Sequence, residues 1–178
     1  MNPKQDNKRL DYFNSIAAKR DPRIFSNYYW EEISDYLSYF SHQDISVLEI
    51  GCGSGDLLAK IPAAKKTGID FSENYISWAK EKHKSENINF LLMDANAISI
   101  TEKYDLIILS NVIGFVDDIQ HVFEQLKKCC HAHTKIIVQY YNSFWEPVIK
   151  FSEFIGIKQK TPNQNWLSTR DINNLLYI

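Results

Sequence analysis

Ile45-Ser46-Val47-Leu48-Glu49-Ile50-Gly51-Cys52-Gly53-Ser54-Gly55-Asp56 is the stretch on which the rest of the chain is organised. Ile45, Val47, Leu48 and Ile50 make a short apolar run rich in β-branched residues. Glycines then stand at alternate positions, and Leu57, Leu58, Ala59 and Ile61 follow at helical spacing. The pattern reads as strand, glycine loop, helix. Glycine lets a backbone turn sharply and approach a ligand with no Cβ in the way, and the helix behind it offers unpaired N–H groups and a positive dipole end. Such a loop holds a nucleotide-like ligand.

Glycine spacing narrows the choice of ligand. A dinucleotide loop, Gly-x-Gly-x-x-Gly, needs its third glycine at position 56 counted from Gly51, where Asp56 stands and would repel a pyrophosphate. A zwitterionic ligand meets no such objection, because carboxylates and backbone carbonyls hold its ammonium. Glu49-x-Gly51-x-Gly53-x-Gly55 resembles motif I of the class I S-adenosylmethionine-dependent methyltransferases. A glutamate at the end of a buried strand is unusual and marks Glu49 for a role of its own.

Downstream, further strand ends carry acids. Lys65 to Asp70 reads as a second strand, and Asp70, 19 residues beyond Gly51, suits a carboxylate that accepts hydrogen bonds from ribose hydroxyls. Phe71 is placed to pack on an adenine face. Ser72 caps a helix with Ile76, Ala79 and His83 on one side, His83 being read as a partly exposed helix residue. Ile88 to Met93 forms a third strand ending in Asp94-Ala95-Asn96, where Asp94 takes the exocyclic amine of adenine and the Ala95 N–H a ring nitrogen. This spacing resembles motif II of the same family. The competing reading makes Asp94 a cap for a helix over Ala95 to Ile98.

Tyr104 to Ser110 is apolar on both faces, as a central parallel strand is, and Ser110 and Asn111 lie beyond its C-terminal end, where open α/β sheets bind substrates. Asp117-Asp118 caps a helix with Ile119, Val122, Phe123, Leu126 and Cys130 inward, and a fifth strand runs from Thr134 to Tyr140. Strands alternating with helices over residues 45–140 imply a doubly wound, mostly parallel α/β sheet of Rossmann-like type. The resemblance adds the strand order 3-2-1-4-5. Cys129-Cys130-His131-Ala132-His133 invites a metal reading, but adjacent cysteines are poor joint ligands and no second ligand pair has usable spacing, so no metal is assigned. His42 and His121 read as surface or capping residues.

Residues 1–44 form a helical cap, with helices over Asp6 to Lys19 (Leu10, Phe13 and Ala17 on one face) and Ile24 to Phe40, broken at Asp21-Pro22. The tyrosines of these helices (Tyr12, Tyr28, Tyr29, Tyr36, Tyr39) read first as residues at the edge of a core; the alternative is a lid, since N-terminal helices of similar methyltransferases often cover the methionine end of the cofactor, which nominates Tyr12 and Tyr28. The tail, residues 141–178, is aromatic and amphipathic, with Ser168-Thr169-Arg170-Asp171 opening a last helix. Tyr141-Asn142-x-x-Trp145-Glu146-Pro147 with Asn165-Trp166-Leu167-Ser168 resembles methyltransferase domains of bacterial proteins that also carry a glycosyltransferase domain. In that group the last helix leads into a closing hairpin; on this reading the chain is a single truncated domain whose fifth strand is a sheet edge. Residues 141–178 cover that edge, or it pairs with a second copy.

Composition excludes several classes of function. The 178 residues carry a net charge of −2 and a pI near 6.2, which provides no basic field for nucleic acid. The longest nearly apolar stretch, Leu106 to Val116, is short of the ~18 residues of a membrane span. Met1 to Arg20 is unlike a secretory signal, and three cysteines form no disulfide framework, so a reducing cytoplasm is the expected compartment. Together the resemblance implies S-adenosylmethionine as methyl donor, S-adenosylhomocysteine as product, and a small-molecule or glycan-precursor acceptor, with a glycosyltransferase partner by analogy. Glu49, Gly51, Cys52, Gly53 and Gly55 would hold the methionine part, Asp70 and Phe71 the nucleoside, Asp94 and Ala95 the base, and Ser110 and Asn111 border the methyl group. The catalytic residue is not named by the sequence. The rival readings are a non-catalytic donor-binding or scaffold module and, below it, a nicotinamide-dependent oxidoreductase.

Overall fold

A computed structural model describes the backbone of residues 3–19, 24–141, 143–157, 160–161 and 164–176, with side chains outside 3–7, 24–30 and 175–176. Two helices, α1 (Pro3–Lys19) and α2 (Ile24–Ser38), precede the sheet. Then β1 (Ser46–Ile50), α3 (Asp56–Lys60), β2 (Lys65–Asp70), α4 (Glu73–Lys82), β3 (Ile88–Leu92), β4 (Tyr104–Ser110), α5 (Ile119–Leu126) and β5 (Cys130–Gln139) alternate as the sequence implies. The tail holds α6 (Glu146–Phe154) and α7 (Thr169–Leu176).

All pairings are parallel and the order is β3-β2-β1-β4-β5. The order reverses between β1 and β4, so their C-terminal ends flank the switch point at which such sheets open a crevice. Alternate side chains of the central strands enter separate cores. Val47, Leu106 and Ile108 pack with Leu57, Leu58, Ile76, Ala79 and Phe90 on one face, while Leu48, Ile50, Ile107 and Leu109 pack with Val122, Phe123, Leu126 and Ile172 on the other. Both faces of β4 are therefore buried, and its central run Leu106 to Leu109 is correspondingly apolar on both.

Local chemistry sets the element ends. Ser72 Oγ accepts the Tyr75 N–H at 3.2 Å and Asp118 Oδ1 accepts the His121 N–H at 2.9 Å, each capping its helix. Ser168 and Asp171 form a reciprocal box at α7, with Ser168 N–H donating to Asp171 Oδ2 at 2.8 Å and Asp171 N–H to Ser168 Oγ at 3.3 Å. β5 starts at Cys130 rather than Thr134, because the ladder resumes after a bulge opposite Tyr104 and Leu106; the His131-Ala132-His133 run is thus strand, with His131 Nε2 3.0 Å from Asp105 Oδ1. Among the described residues no strand pairs with the outer edge of β5, and no helix is long and apolar enough to cross a membrane.

Candidate functional site

A cavity of about 270 Å³ lies over the C-terminal ends of β1 to β4 and is lined from both sides of the switch point. Gly51 and Gly53 form its floor, Asp70, Phe71, Asp94, Ala95 and Asn96 one end, and Ser110, Asn111, Val112, Phe115 and Val116 the other, with Arg9, Phe13, Tyr75 and Met93 closing the sides.

The floor is built by continuing strand pairing into the loop. Gly51 and Cys52 both donate to the Ile69 carbonyl, at 2.7 and 2.9 Å, and Gly55 N–H closes a turn onto the Cys52 carbonyl at 2.8 Å. Gly51 has φ +72°, and a Cβ there would stand 2.3 Å from Val112 Cγ2; Gly55, at φ +78°, would drive one to 2.5 Å from Phe90 Cζ. Both positions therefore need glycine, for left-handed backbone and for space.

Asp70 couples this loop to β2. Its Oδ2 accepts the Gly53 N–H at 3.0 Å and its Oδ1 the Ser72 N–H at 2.8 Å. Burial raises its pKa from the ordinary 3.8, and those backbone donors oppose the rise. Glu49 sits behind the loop at 2% exposure, and its Oε2 has no hydrogen-bond partner among the described residues. Burial first, and then the Asp70 charge, push its pKa well above 4.5. The Cys52 thiol is raised likewise by burial, then by Glu49, and is no nucleophile.

The opposite wall is fastened to β5. Asn111 has φ +57° and donates its N–H to the Gln139 carbonyl at 2.8 Å, while Ser110 Oγ donates to Gln139 Oε1 at 3.0 Å. Over the top, α1 is strapped at two places. Arg9 donates to the Phe115 carbonyl and, through Nη2 at 2.5 Å, to Asp117 Oδ2; five residues on, Asn14 Oδ1 accepts Ser72 Oγ–H at 2.5 Å. Between the straps, Phe13 meets the rings of Phe71 and Phe115 edge-on at 5.6 and 5.0 Å.

Eight of the residues singled out from sequence line this cavity: Gly51, Gly53, Asp70, Phe71, Asp94, Ala95, Ser110 and Asn111. Glu49, Cys52 and Gly55 lie behind the loop. Tyr12 packs edge-on against Phe13 at 5.2 Å, beside the lining rather than on it, and the Tyr28 side chain is outside the described residues. Asp94 caps no helix; its Oδ1 accepts the Asn96 N–H at 2.8 Å in a turn. His83 is buried at 9% exposure instead of partly exposed, because it ends α4 under Gly55 and against Phe90. Asp56 also departs from expectation. Its carboxylate turns to α4, 2.5 Å from Lys82 Nζ and 3.4 Å from His83 Nε2, away from the cavity, so it does not decide the ligand. Asp70 Oδ2 takes the Gly53 N–H, one of the loop donors that a pyrophosphate would need. Arg9 escaped the sequence reading, although it stands four residues before Phe13 and so on the same helix face. Among the described residues no group of three His, Cys, Asp or Glu side chains is placed to hold a metal.

Residues 41–173 match a family model described as methyltransferase domain. Malonyl-(acyl-carrier protein) O-methyltransferase 1 of Ilyobacter polytropus is 28% identical over 182 residues, covering 90% of this chain and 66% of its own length, so the chain spans just under two thirds of that relative. Among solved structures, magnesium protoporphyrin IX methyltransferase from Synechocystis PCC 6803 with bound SAH superposes with a TM-score of 0.71 at 18% identity, over 97% of this chain and 87% of that one. A chain of the Haloferax volcanii complex of a methyltransferase with the Trm112 methyltransferase activator gives 0.79 at 14% identity, over 93% and 74%. These likenesses show the fold.

Proposed function

The chain belongs to the methyltransferase-domain family, and we propose that it binds S-adenosylmethionine in the cavity over β1 to β4 and methylates an acceptor oxygen that arrives already ionised. One observation carries the donor assignment: Asp70 and Asp94 at one end of an otherwise largely apolar cavity, over a floor of Gly51 and Gly53 in which a Cβ at Gly51 would collide with Val112. A ribose and an amino-purine are hydrogen-bond donors that suit those acids, and two buried carboxylates, Asp70 and Glu49, favour a ligand of positive charge. The dinucleotide alternative is disfavoured because Gly53 N–H already serves a carboxylate. When bound, the donor supplies a methyl group on an electrophilic sulfonium.

The residues of this chain would then bind, orient and exclude water. Phe13, Phe71 and Phe115 make a lid of edge-on rings, and the pinned 110–112 turn fixes the wall facing the acceptor. At that end the described lining side chains are Ser110, Asn111, Val112, Phe115, Val116 and Arg9, none of which is a base near neutral pH. An acceptor carrying its own charge needs no such base. A carboxylate is such an acceptor, and the Ilyobacter relative is named for methylating an acyl-carrier-bound malonyl group. No relative reported above is a glycosyltransferase, so a carboxylate is preferred over a glycan precursor.

Calorimetry of the purified chain with S-adenosylhomocysteine and NAD tests the donor. Binding of the first alone, lost in Asp70→Ala while the fold is kept, is expected; binding of NAD alone, or of neither by a folded protein, would overturn the reading. Mass spectrometry of a malonyl thioester incubated with donor tests the acceptor, a gain of one methyl being expected.

A further inference from the structure

We infer that Asn165, in the tail, is a positioning residue for the methyl acceptor: from behind the cavity it fixes the wall that the acceptor meets, and it leaves the donor end alone. The inference rests on the reaction proposed above. The segment between β4 and α5 is neither strand nor helix, yet Ile113, Gly114 and Val116 within it are buried. Their carbonyls have no sheet or helix ladder to supply donors, and a buried carbonyl left unpaired is costly. Donors must come from other elements, and two elements supply them. Arg9 on α1 donates to the Phe115 carbonyl. Asn165 takes the carbonyls on either side of it: its backbone N–H donates to the Gly114 carbonyl at 2.7 Å and its Nδ2 to the Val116 carbonyl at 2.6 Å, with the Ile113 carbonyl 3.5 Å from the same nitrogen.

Gly114 lets the tail come this close, since a Cβ there would stand 3.2 Å from the Gln164 side chain. Asn165 is itself anchored. Leu167, two residues on, packs against the core cluster that holds Ile172, and its carbonyl accepts the Ser143 N–H at 3.2 Å. The loop gripped in this way puts Val112, Phe115 and Val116 on the cavity lining. Methyl transfer needs the acceptor atom in line with the bond that breaks, and a misplacement of about 1 Å can cost about 100-fold in rate. The donor floor depends on none of these contacts, because Gly51, Cys52 and Gly53 hang on Ile69 and Asp70. Loosening Asn165 should therefore separate acceptor placement from donor binding.

Wild type, Asn165→Ala, Asn165→Asp and Asn165→Gln are compared in three measurements: calorimetric affinity for S-adenosylhomocysteine, kcat and KM for methyl transfer to a malonyl thioester, and amide hydrogen exchange of residues 112–118 and 51–56. Asn165→Ala should lower kcat/KM for the thioester by about 5- to 50-fold and change S-adenosylhomocysteine affinity by less than about twofold, since the side-chain bond it loses serves the acceptor wall. Exchange should speed up at 112–118 and stay as it was at 51–56. Asn165→Asp keeps the shape but sets an acceptor against the Val116 carbonyl, and should lose at least as much. Asn165→Gln restores the amide and should recover part of the loss. Equal losses of donor affinity and turnover, or faster exchange in both segments, would make Asn165 a structural strap and overturn the inference. So would wild-type kcat/KM in Asn165→Ala. If the wild type binds S-adenosylhomocysteine but leaves the thioester unmethylated, the acceptor class proposed above falls and exchange decides: a change confined to 112–118 supports the positioning role, and no change overturns it. Failure of the wild type to bind S-adenosylhomocysteine would remove the donor reading itself, and the inference with it.

Discussion

β4 and β5 lie side by side, parallel and similarly rich in isoleucine, yet they live in different solvents. β4 is flanked by β1 and β5 and covered on both faces, with Leu106, Ile107, Ile108 and Leu109 all at 0% exposure. Among the described residues β5 has a partner strand on one side, and Ile136 is 38% exposed. The same contrast separates the cavity end of the molecule from the tail, where Phe144, Phe151 and Phe154 are 83, 62 and 84% exposed. Apolar composition thus tells which segments want burial, whereas the number of neighbours in the sheet decides which get it. The site belongs to the first kind of region, since a pre-formed cavity needs walls that do not move.

The largest effect expected from this contrast lies in matched truncations. Ile108→Ala should cost about 2–5 kcal/mol through lost transfer energy and a cavity, and Ile136→Ala less than about 1 kcal/mol because its surroundings can relax into water. Urea unfolding followed by fluorescence measures both. Similar losses would mean that the outer face of β5 is covered after all.

Paired glycines sharpen the comparison next. Gly51 and Gly156 share left-handed φ, +72° and +77°, but a Cβ on Gly51 meets Val112 at 2.3 Å and one on Gly156 meets nothing within 4 Å. Gly156→Ala should therefore show backbone strain alone, about 1 kcal/mol. Gly51→Ala should add a clash with a stiff β-branched side chain, for about 2–4 kcal/mol in all, and abolish S-adenosylhomocysteine binding. Equal stability losses with binding retained would show that the loop tolerates a side chain.

How much of this was legible depended on whether a residue's partners are local. The five strands and the loop were readable because β-branched runs and alternating glycines leave few conformations open. The 3-2-1-4-5 order came from family resemblance and agrees with the structure. Cavity-lining residues on α1 were not readable to the residue, since a helix of one apolar stripe does not say how it is rotated on the sheet; Tyr12 and Phe13 are neighbours, and Phe13 and Arg9 line the cavity. Asp56 and His83 meet across α3 and α4, a contact that no spacing in the chain announces. Ser168 and Asp171, three residues apart, were read correctly as a cap for the same reason that Asp56 was not.

A pH series sharpens the buried side of the comparison. Glu49 has its folded pKa raised above the ordinary 4.5, so folding favours its protonated form. The contribution is a cost that is absent below about pH 4.5 and grows as pH rises toward the folded pKa, by up to about 1.4 kcal/mol per unit. Glu49→Gln, neutral at every pH, should thus gain stability relative to wild type as pH rises from 5 to 8 in thermal melts. A difference independent of pH would show that Glu49 is solvated or has found a partner.

The smallest change is expected on α6, which has no buried residue. Val148, Phe151 and Ile155 recur at helical spacing and are 54, 62 and 48% exposed, so Phe151→Lys removes little packing and should alter stability by less than about 0.5 kcal/mol. An apolar face of this kind is large enough to take the matching face of a second copy. Melting the wild type at low and at high protein concentration separates the two possibilities. A melting temperature that rises with concentration in the wild type and not in Phe151→Lys would mean that the face is shared between copies, because association stabilises only the folded form. Melting temperatures independent of concentration in both would leave α6 as a solvent-facing helix, and the contrast between a closed cavity end and an open tail would hold for the monomer as it stands.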